Sequence, residues 1–318
     1  MNSPNTALSP SFARPPSRVA IRRAASYDVD LLPILRETLR EFDLPLQGKS
    51  VLLKVNFVCH DPFGAISTHP AVVVAAREAF LSLGAASVTI ADGPGLERDI
   101  EAIAESMRLR DFIPSLSTSL VDLNTDDVHP VALKTRASTL KKLYLPATVL
   151  GADLVVSMPK MKTHHWSGVT LSLKNMFGIV PGSCYGWPKN ILHWAGIANS
   201  ILDINSAVRP HFAIVDGITG MEGNGPIQGT PKSCGLLILG NDPVAVDATC
   251  ARVMGLRPER IDYLRRAGLL LGHLHEEKIL QIGEKPEQVQ TSFAVLDDIR
   301  HLSMGLKPNG NGTPLATS

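Results

Sequence analysis

The stretch "SVLLKVNFVCHDPFGAISTHPAVVVAAREAFLSLGAASVTIADG", residues 50–93, decides the fold. It opens with "SVLLKVNFV" (50–58), a run of apolar residues interrupted only by Lys54 and Asn56, and closes with "SVTIADG" (87–93). Neither run alternates cleanly between polar and apolar residues, which is the pattern of strands covered on both faces. Between them "HPAVVVAAREAFLSLGA" (69–85) reads as a helix. A strand, a helix and a second buried strand in succession predict a parallel pair with a crossover.

The same grammar extends in both directions. Further strands are expected at 18–24, 153–159, 212–218 and 234–240. A helix is expected over 28–43, starting near Leu32 because Pro33 falls inside it. In 190–207, Trp194, Ile197, Ile201 and Ile204 fall at helical spacing and form one stripe. "NDPVAVDATCARVMG" offers Asn241 or Asp242 as N-cap, Pro243 in the first turn and Gly255 as terminator. The predicted class is α/β, a mostly parallel or mixed sheet flanked by helices. Residues 17–302 form one large domain, with two lobes as the alternative, and 1–16 and 303–318 are disordered tails.

Composition narrows the partners. The 318 residues include 31 Lys plus Arg against 30 Asp plus Glu, a formal charge of +1. There is no surplus of cations to release counterions along a nucleic acid, so none is expected as a partner. No apolar run approaches the roughly 20 residues of a membrane helix, so no membrane partner is expected either. The N-terminal "MNSPNTALSPSFARPPSR" is rich in Ser and Pro and has no apolar signal core. A cytoplasmic location is expected, with an organelle transit segment as the lesser alternative. Cys59, Cys184, Cys234 and Cys250 form no C-x-x-C pair, so reduced thiols are expected and no iron–sulfur cluster within this chain.

Chemistry is expected where strands end. Lys54 and Asn56 lie two apart and share a strand face. A lysine on such a strand must be paired or face a cleft. Asp92 ends a strand before Gly93-Pro94-Gly95, either as a plain turn or as a metal or substrate contact. From Pro159 the chain reads as extended, which puts Lys160, Lys162 and His164 on one side and His165 on the other. Ser167 is then expected to cap a helix with the stripe Val169, Leu173, Met176 and Phe177, ended by Gly178 and carrying Lys174. Amides at that helix start and the nearby ammoniums would make an anion site; a solvated basic loop is the alternative. Asp216 ends a strand, and a loop with four glycines between 220 and 229 carries Glu222 and Asn224. Its spacing is neither a P-loop nor a dinucleotide fingerprint. His193 and Asp203 share the 190–207 segment but would lie roughly 15 Å apart on an unbroken helix, too far for one metal ion.

Taken in order, "LKVNF", "THP", "ADGPG", "PKMKTH", "LKNMFGIVPG", His193 ahead of "ILDI", "DGITGMEGNGP" and "NDPVAVD" resemble the family named domain of unknown function 362, over roughly 50–256. The resemblance carries over Lys54, Asn56, His69, Asp92, Lys160, Lys162, His164, Lys174, Asn175, Asp216, Glu222, Asn224, Asp242 and Asp247, but not His165. Many members look like iron–sulfur proteins through a ferredoxin-like cysteine module, which this sequence lacks.

The leading expectation is an enzyme acting on a small anionic molecule, a carboxylate or a phosphate. Lys160, Lys162 and Lys174 hold the anion, with Lys54, Asn56, Asn175 and Asn224 as further substrate contacts. His164 is the expected general acid or base because its ordinary pKa is near neutral, and Lys162 shares the role if desolvation lowers it. Asp92, Asp216 and Glu222 either balance the amines or hold a divalent metal through oxygen ligands. Proton transfer and a redox step both suit this inventory. Two alternatives stand beside it: a redox protein with a metal centre or flavin and a redox partner protein, and a non-catalytic binder of an anionic metabolite or cofactor.

Overall fold

The computed structural model describes residues 16–304 apart from 60, 62–63, 97–98 and 114–115, so most of both expected tails lies outside the described residues. The end of the described chain is not loose. Ser303 bridges to Leu256, and Met304 donates its amide to the Gly255 carbonyl.

The strands are β1 (Ser17–Arg23), β2 (Ser50–Lys54), β3 (Ser87–Asp92), β4 (Leu120–Asp122), β5 (Val128–Ala132), β6 (Lys142–Pro146), β7 (Leu154–Ser157), β8 (Lys160–His164), β9 (Gly168–Thr170), β10 (Phe212–Glu222), β11 (Thr230–Gly240) and β12 (Ile279–Gly283). Ten form one sheet, ordered β12-β1-β11-β10-β7-β2-β3-β4, with β8 on β10 and β9 on β8. The half from β10 to β4 is parallel, and β11 runs antiparallel to both β1 and β10. The sheet is therefore mixed, as the class predicted. β5 and β6 form a separate hairpin pair.

Period two explains why the strands read as continuous apolar runs. In β2, Val51 and Leu53 pack with the helices Leu31–Arg40 and Pro70–Ser82, while Leu52 packs on the opposite face. In β10, Phe212 and Ile214 join the first group and Ala213 and Val215 the second. The second face is covered by Ile197–Ala207, Pro243–Val253 and Asp262–Leu270. Both faces are core, so the strands have no polar side to show.

Two expected elements come out differently. Residues 190–207 are two helices, Asn190–Trp194 and Ile197–Ala207, because Gly196 takes φ +91° and breaks the run. Trp194 accordingly leaves the expected stripe and is 81% exposed. Asp203 instead accepts the amides of Ala137 and Ser138 and the Thr135 hydroxyl. Ser167 does not cap a helix: residues 168–170 form β9, and the helix is the single turn Ser172–Asn175, continued as 3-10 through Ile179.

The break that positions the site lies between β7 and β8. Both run parallel to β10, but the chain is displaced at Met158–Pro159. The Met158 amide still bonds the Lys54 carbonyl on the β2 side, whereas the Pro159 carbonyl accepts the Asp216 amide on the β10 side. Beyond that point β2 and β8 diverge, and a cleft opens at the carboxyl ends of the parallel strands.

Candidate anion site

The cleft encloses about 310 Å³. Lys54, Asn56, Asp92, Lys162, His164, Lys174 and Asn175 line it, together with Lys189 and His193. Four lysines thus meet one described carboxylate, and each has a different environment.

Lys54 and Asp92 are a closed pair. The ammonium lies 2.6 Å from Asp92 Oδ1 and donates to the Val55 carbonyl and, at 3.2 Å, to Asn175 Oδ1. Asp92 also accepts the amides of Phe57 and Gly93, both at 2.7 Å. Burial lowers the Lys54 pKa, with Asp92 opposing. A Cβ at position 178 would sit 2.4 Å from both Asp92 Oδ1 and Lys54 Nζ, which is why Gly178 stands there. Asn175 is held as well, its Nδ2 donating to the Lys54 carbonyl and to Ser157 Oγ. These groups form a wall and have little bonding capacity left for a ligand.

Lys162, Lys174 and Lys189 are not neutralised in this way. Lys162 is fully buried and donates at 2.7 Å to the Ile66 carbonyl. Burial first, then the charges of Lys160 and Lys174, bring its pKa down to about 7. The ammonium of Lys174 lies 4.8 Å over the Phe177 ring and has no hydrogen bond or ion pair among the described residues. Burial and the Lys54 charge lower it to about 8. Lys189 donates to the carbonyls of Gly93, Phe177 and Gly178, and burial holds it at about 7 despite Asp92. Two buried polar atoms in this lining, Asn56 Oδ1 and Thr170 Oγ1, also lack a partner among the described residues.

Of the three histidines in the cleft lining, His164 and His193 have opposite tautomers. His164 Nδ1 accepts the amides of Trp166 and Ser167 at 3.0 and 3.3 Å, which puts the proton on Nε2. Burial, then the charge of Lys174, push its pKa down to about 2. The expected reason for its role, an ordinary pKa near neutral, is thereby overturned: His164 is a neutral donor. Nδ1 of His193 lies 3.0 Å from the Lys189 carbonyl and must donate there, so Nε2 keeps its lone pair. Burial lowers His193 too.

Other expected residues lie elsewhere. Lys160, Lys162 and His164 do share the side of β8 that period two requires, but they reach successive places. Lys160 bonds Asp216 at 2.6 Å, the Gly64 carbonyl and the Tyr27 hydroxyl, with both charges fully buried. Asp216 further accepts from Tyr27 Oη and the His69 amide. This knot supports the loop below the cleft and does not line it. Glu222 pairs with Lys232 at 2.8 Å and accepts the Ala294 amide, and Asn224 is exposed and bonds Gln228. The three expected metal carboxylates therefore belong to three separate ion pairs. Among the described residues no group of three His, Cys, Asp or Glu side chains is arranged to hold a metal. His165 does not point away, because β8 ends at His164; its ring stacks on His164 at 4.8 Å.

Of the residues carried by resemblance, His69 is an N-cap whose Nδ1 accepts the Ala71 amide, and Asp242 caps Pro243–Val253. Asp247 accepts the amides of Ser172 and Leu173 at 2.7 and 3.0 Å and so anchors the turn that carries Lys174. Lys189 was missed. It sits with φ +69° just before a helix, and its sequence neighbours give no charge pattern to single it out. His193 was noted, but only as a helix residue.

Residues 51–252 match the family model described as domain of unknown function (DUF362). This chain belongs to that family. The DUF362 match spans the cleft, Asp247 and, but for Ser50, β2 to β11, and leaves out β1 and β12. A thylakoid-associated protein of Synechocystis sp. (strain ATCC 27184 / PCC 6803 / Kazusa) is 28% identical over 257 residues, 76% of each chain. Among solved structures, the lactate racemase apoprotein from Thermoanaerobacterium thermosaccharolyticum is similar with a TM-score of 0.44 and 12% identity. That match covers 66% of this chain and about half, 51%, of the racemase. No helix among the described residues is long and apolar enough to cross a membrane.

Proposed function

We propose that this chain binds a small molecule by its carboxylate or phosphate group and transfers a proton to or from it. The observation that supports this is the unbalanced charge of the cleft. Lys162, Lys174 and Lys189 face it, while Asp92, its one described carboxylate, is used by Lys54 and two amides. A desolvated cation without a counter-ion is costly, and an entering anion removes that cost.

In this reading Lys174 anchors the anion and Lys162 moves the proton. An amine held at about 7 exists in both protonation states at neutral pH, which is what general acid–base catalysis needs. His164 offers Nε2–H to a developing negative oxygen without itself gaining charge, and His193 offers a lone pair. Asn56 Oδ1 and Thr170 Oγ1 supply neutral contacts.

The test is acetate binding, followed by calorimetry, to the parent and to Lys174→Met. The parent is expected to bind, and the variant to lose at least about tenfold in affinity, the loss expected for one charge-assisted hydrogen bond. Equal affinities, or a parent that does not bind acetate, would remove the reading.

A further inference from the structure

The anion reading names one end of the ligand; the mouth of the cleft specifies the other. A line of rings leads outward from Lys174. Its ammonium lies over Phe177, Phe177 meets His193 edge to face at 5.6 Å, and His193 meets Trp166 in the same way at 5.9 Å. Trp166 is 68% exposed and Trp194 is 81% exposed. Both indoles, with Pro188, His193 and Ile197, line a groove of about 400 Å³ that shares Trp166, Pro188 and His193 with the cation cleft. Singly exposed apolar side chains need no explanation, but two indoles flanking the mouth of a basic cleft do. A simple inorganic anion would use only the inner end.

We propose that the ligand is an aryl-bearing acid, with its acid group at Lys174 and its ring in the groove between Trp166 and Trp194. This rests on the anion site argued above and adds the recognition of an apolar body. The rings of the wall already meet at 65° and 70°, the edge-to-face arrangement aromatic groups prefer, and a further ring extends that series. The charge at the inner end fixes which way round the ligand enters.

Acetate and 2-naphthoate, titrated into the full-length parent, Trp166→Ala and Trp194→Ala, separate the claims. The parent is expected to bind naphthoate about tenfold more tightly than acetate, the change that ~1.4 kcal/mol produces. Each tryptophan variant should lose most of that gain, and Trp194→Ala, outside the cation cleft, should keep the parent's acetate affinity. Their exposed positions make unfolding an unsuitable explanation for a loss, and unchanged acetate affinity in Trp194→Ala checks it. If acetate binds but naphthoate gains nothing, the aryl groove is wrong while the anion site stands. A gain that survives in both variants also overturns the groove. If tryptophan-dependent binding to phospholipid vesicles or to a second copy appears without a naphthoate gain, the indoles serve another surface and the inference falls. Failure of both acids to bind takes the anion reading down with it.

Discussion

Lys54 and Lys174 line one cleft, yet removing them should affect stability in opposite directions. Lys54→Met leaves Asp92 buried without its cation, and breaking such a pair costs about 3–5 kcal/mol. Lys174→Met removes a buried charge that lies over the Phe177 ring but has no hydrogen bond or ion pair among the described residues, so stability in the absence of ligand should be unchanged or higher. Denaturant unfolding of both variants near pH 7 checks this, and comparable losses would make Lys174 a structural cation as well. At this scale much was legible: a lysine on an apolar strand had to be paired or face a cleft, and Lys54 does both. What could not be read was which carboxylate each lysine meets. Asp92, Asp216 and Glu222 look alike in sequence, and only the sheet order, which sets β3 beside β2, and β10 beside β8 and β11, sends them to Lys54, Lys160 and Lys232. His164 misled because its neutrality comes from burial and the charge of Lys174, and its tautomer from the two amides at Nδ1, none of which a residue type announces.

The elements that present the site are short and depend on distant anchors. Ser172–Asn175 is one turn, too short to be stable alone. Asp247, on a helix more than seventy residues later, fixes it through two amides. Asp247→Ala should leave those amides unsatisfied, destabilise by about 1–3 kcal/mol for each, and weaken acetate binding by moving Lys174. Calorimetric binding alongside thermal unfolding would detect both; full acetate affinity in a destabilised variant would detach the anchor from the site. Of the parallel half, β2, β3, β7 and β10 were readable from their apolar runs, because double coverage leaves no ambiguity of face, whereas the three-residue β4 was not. The short pieces were not. β9 and the Ser172 turn follow from tertiary bonds to β8 and Asp247 rather than from local preference. The break at Gly196 had a visible glycine, but the apolar spacing across it suggested continuity.

Across the whole molecule, the divided sheet gathers amines from β8, from the Ser172 turn and from the segment before Asn190, and this would make the proposed anion binding a proton-linked process. Lys162 and Lys189 titrate at about 7 and Lys174 at about 8, each below the ordinary 10.5 because burial disfavours the charged form. Asp61 and Cys59 act on Lys162 in the opposite sense, as do Asp92 and Asp122 on Lys189, without restoring the ordinary value. A bound carboxylate favours the ammonium form, so it raises these pKa values and draws protons in. The sign follows: affinity should rise as pH falls from 9 through 7 and level off only near about pH 6, where amines with pKa values of about 7 and 8 are already charged. The most direct test is calorimetric titration of acetate at pH 8 in two buffers of different ionisation heat. Acetate stays ionised throughout, so any proton exchanged belongs to the protein. Net proton uptake on binding, reduced in Lys162→Met, is the predicted result; binding without uptake, or with proton release, would contradict it.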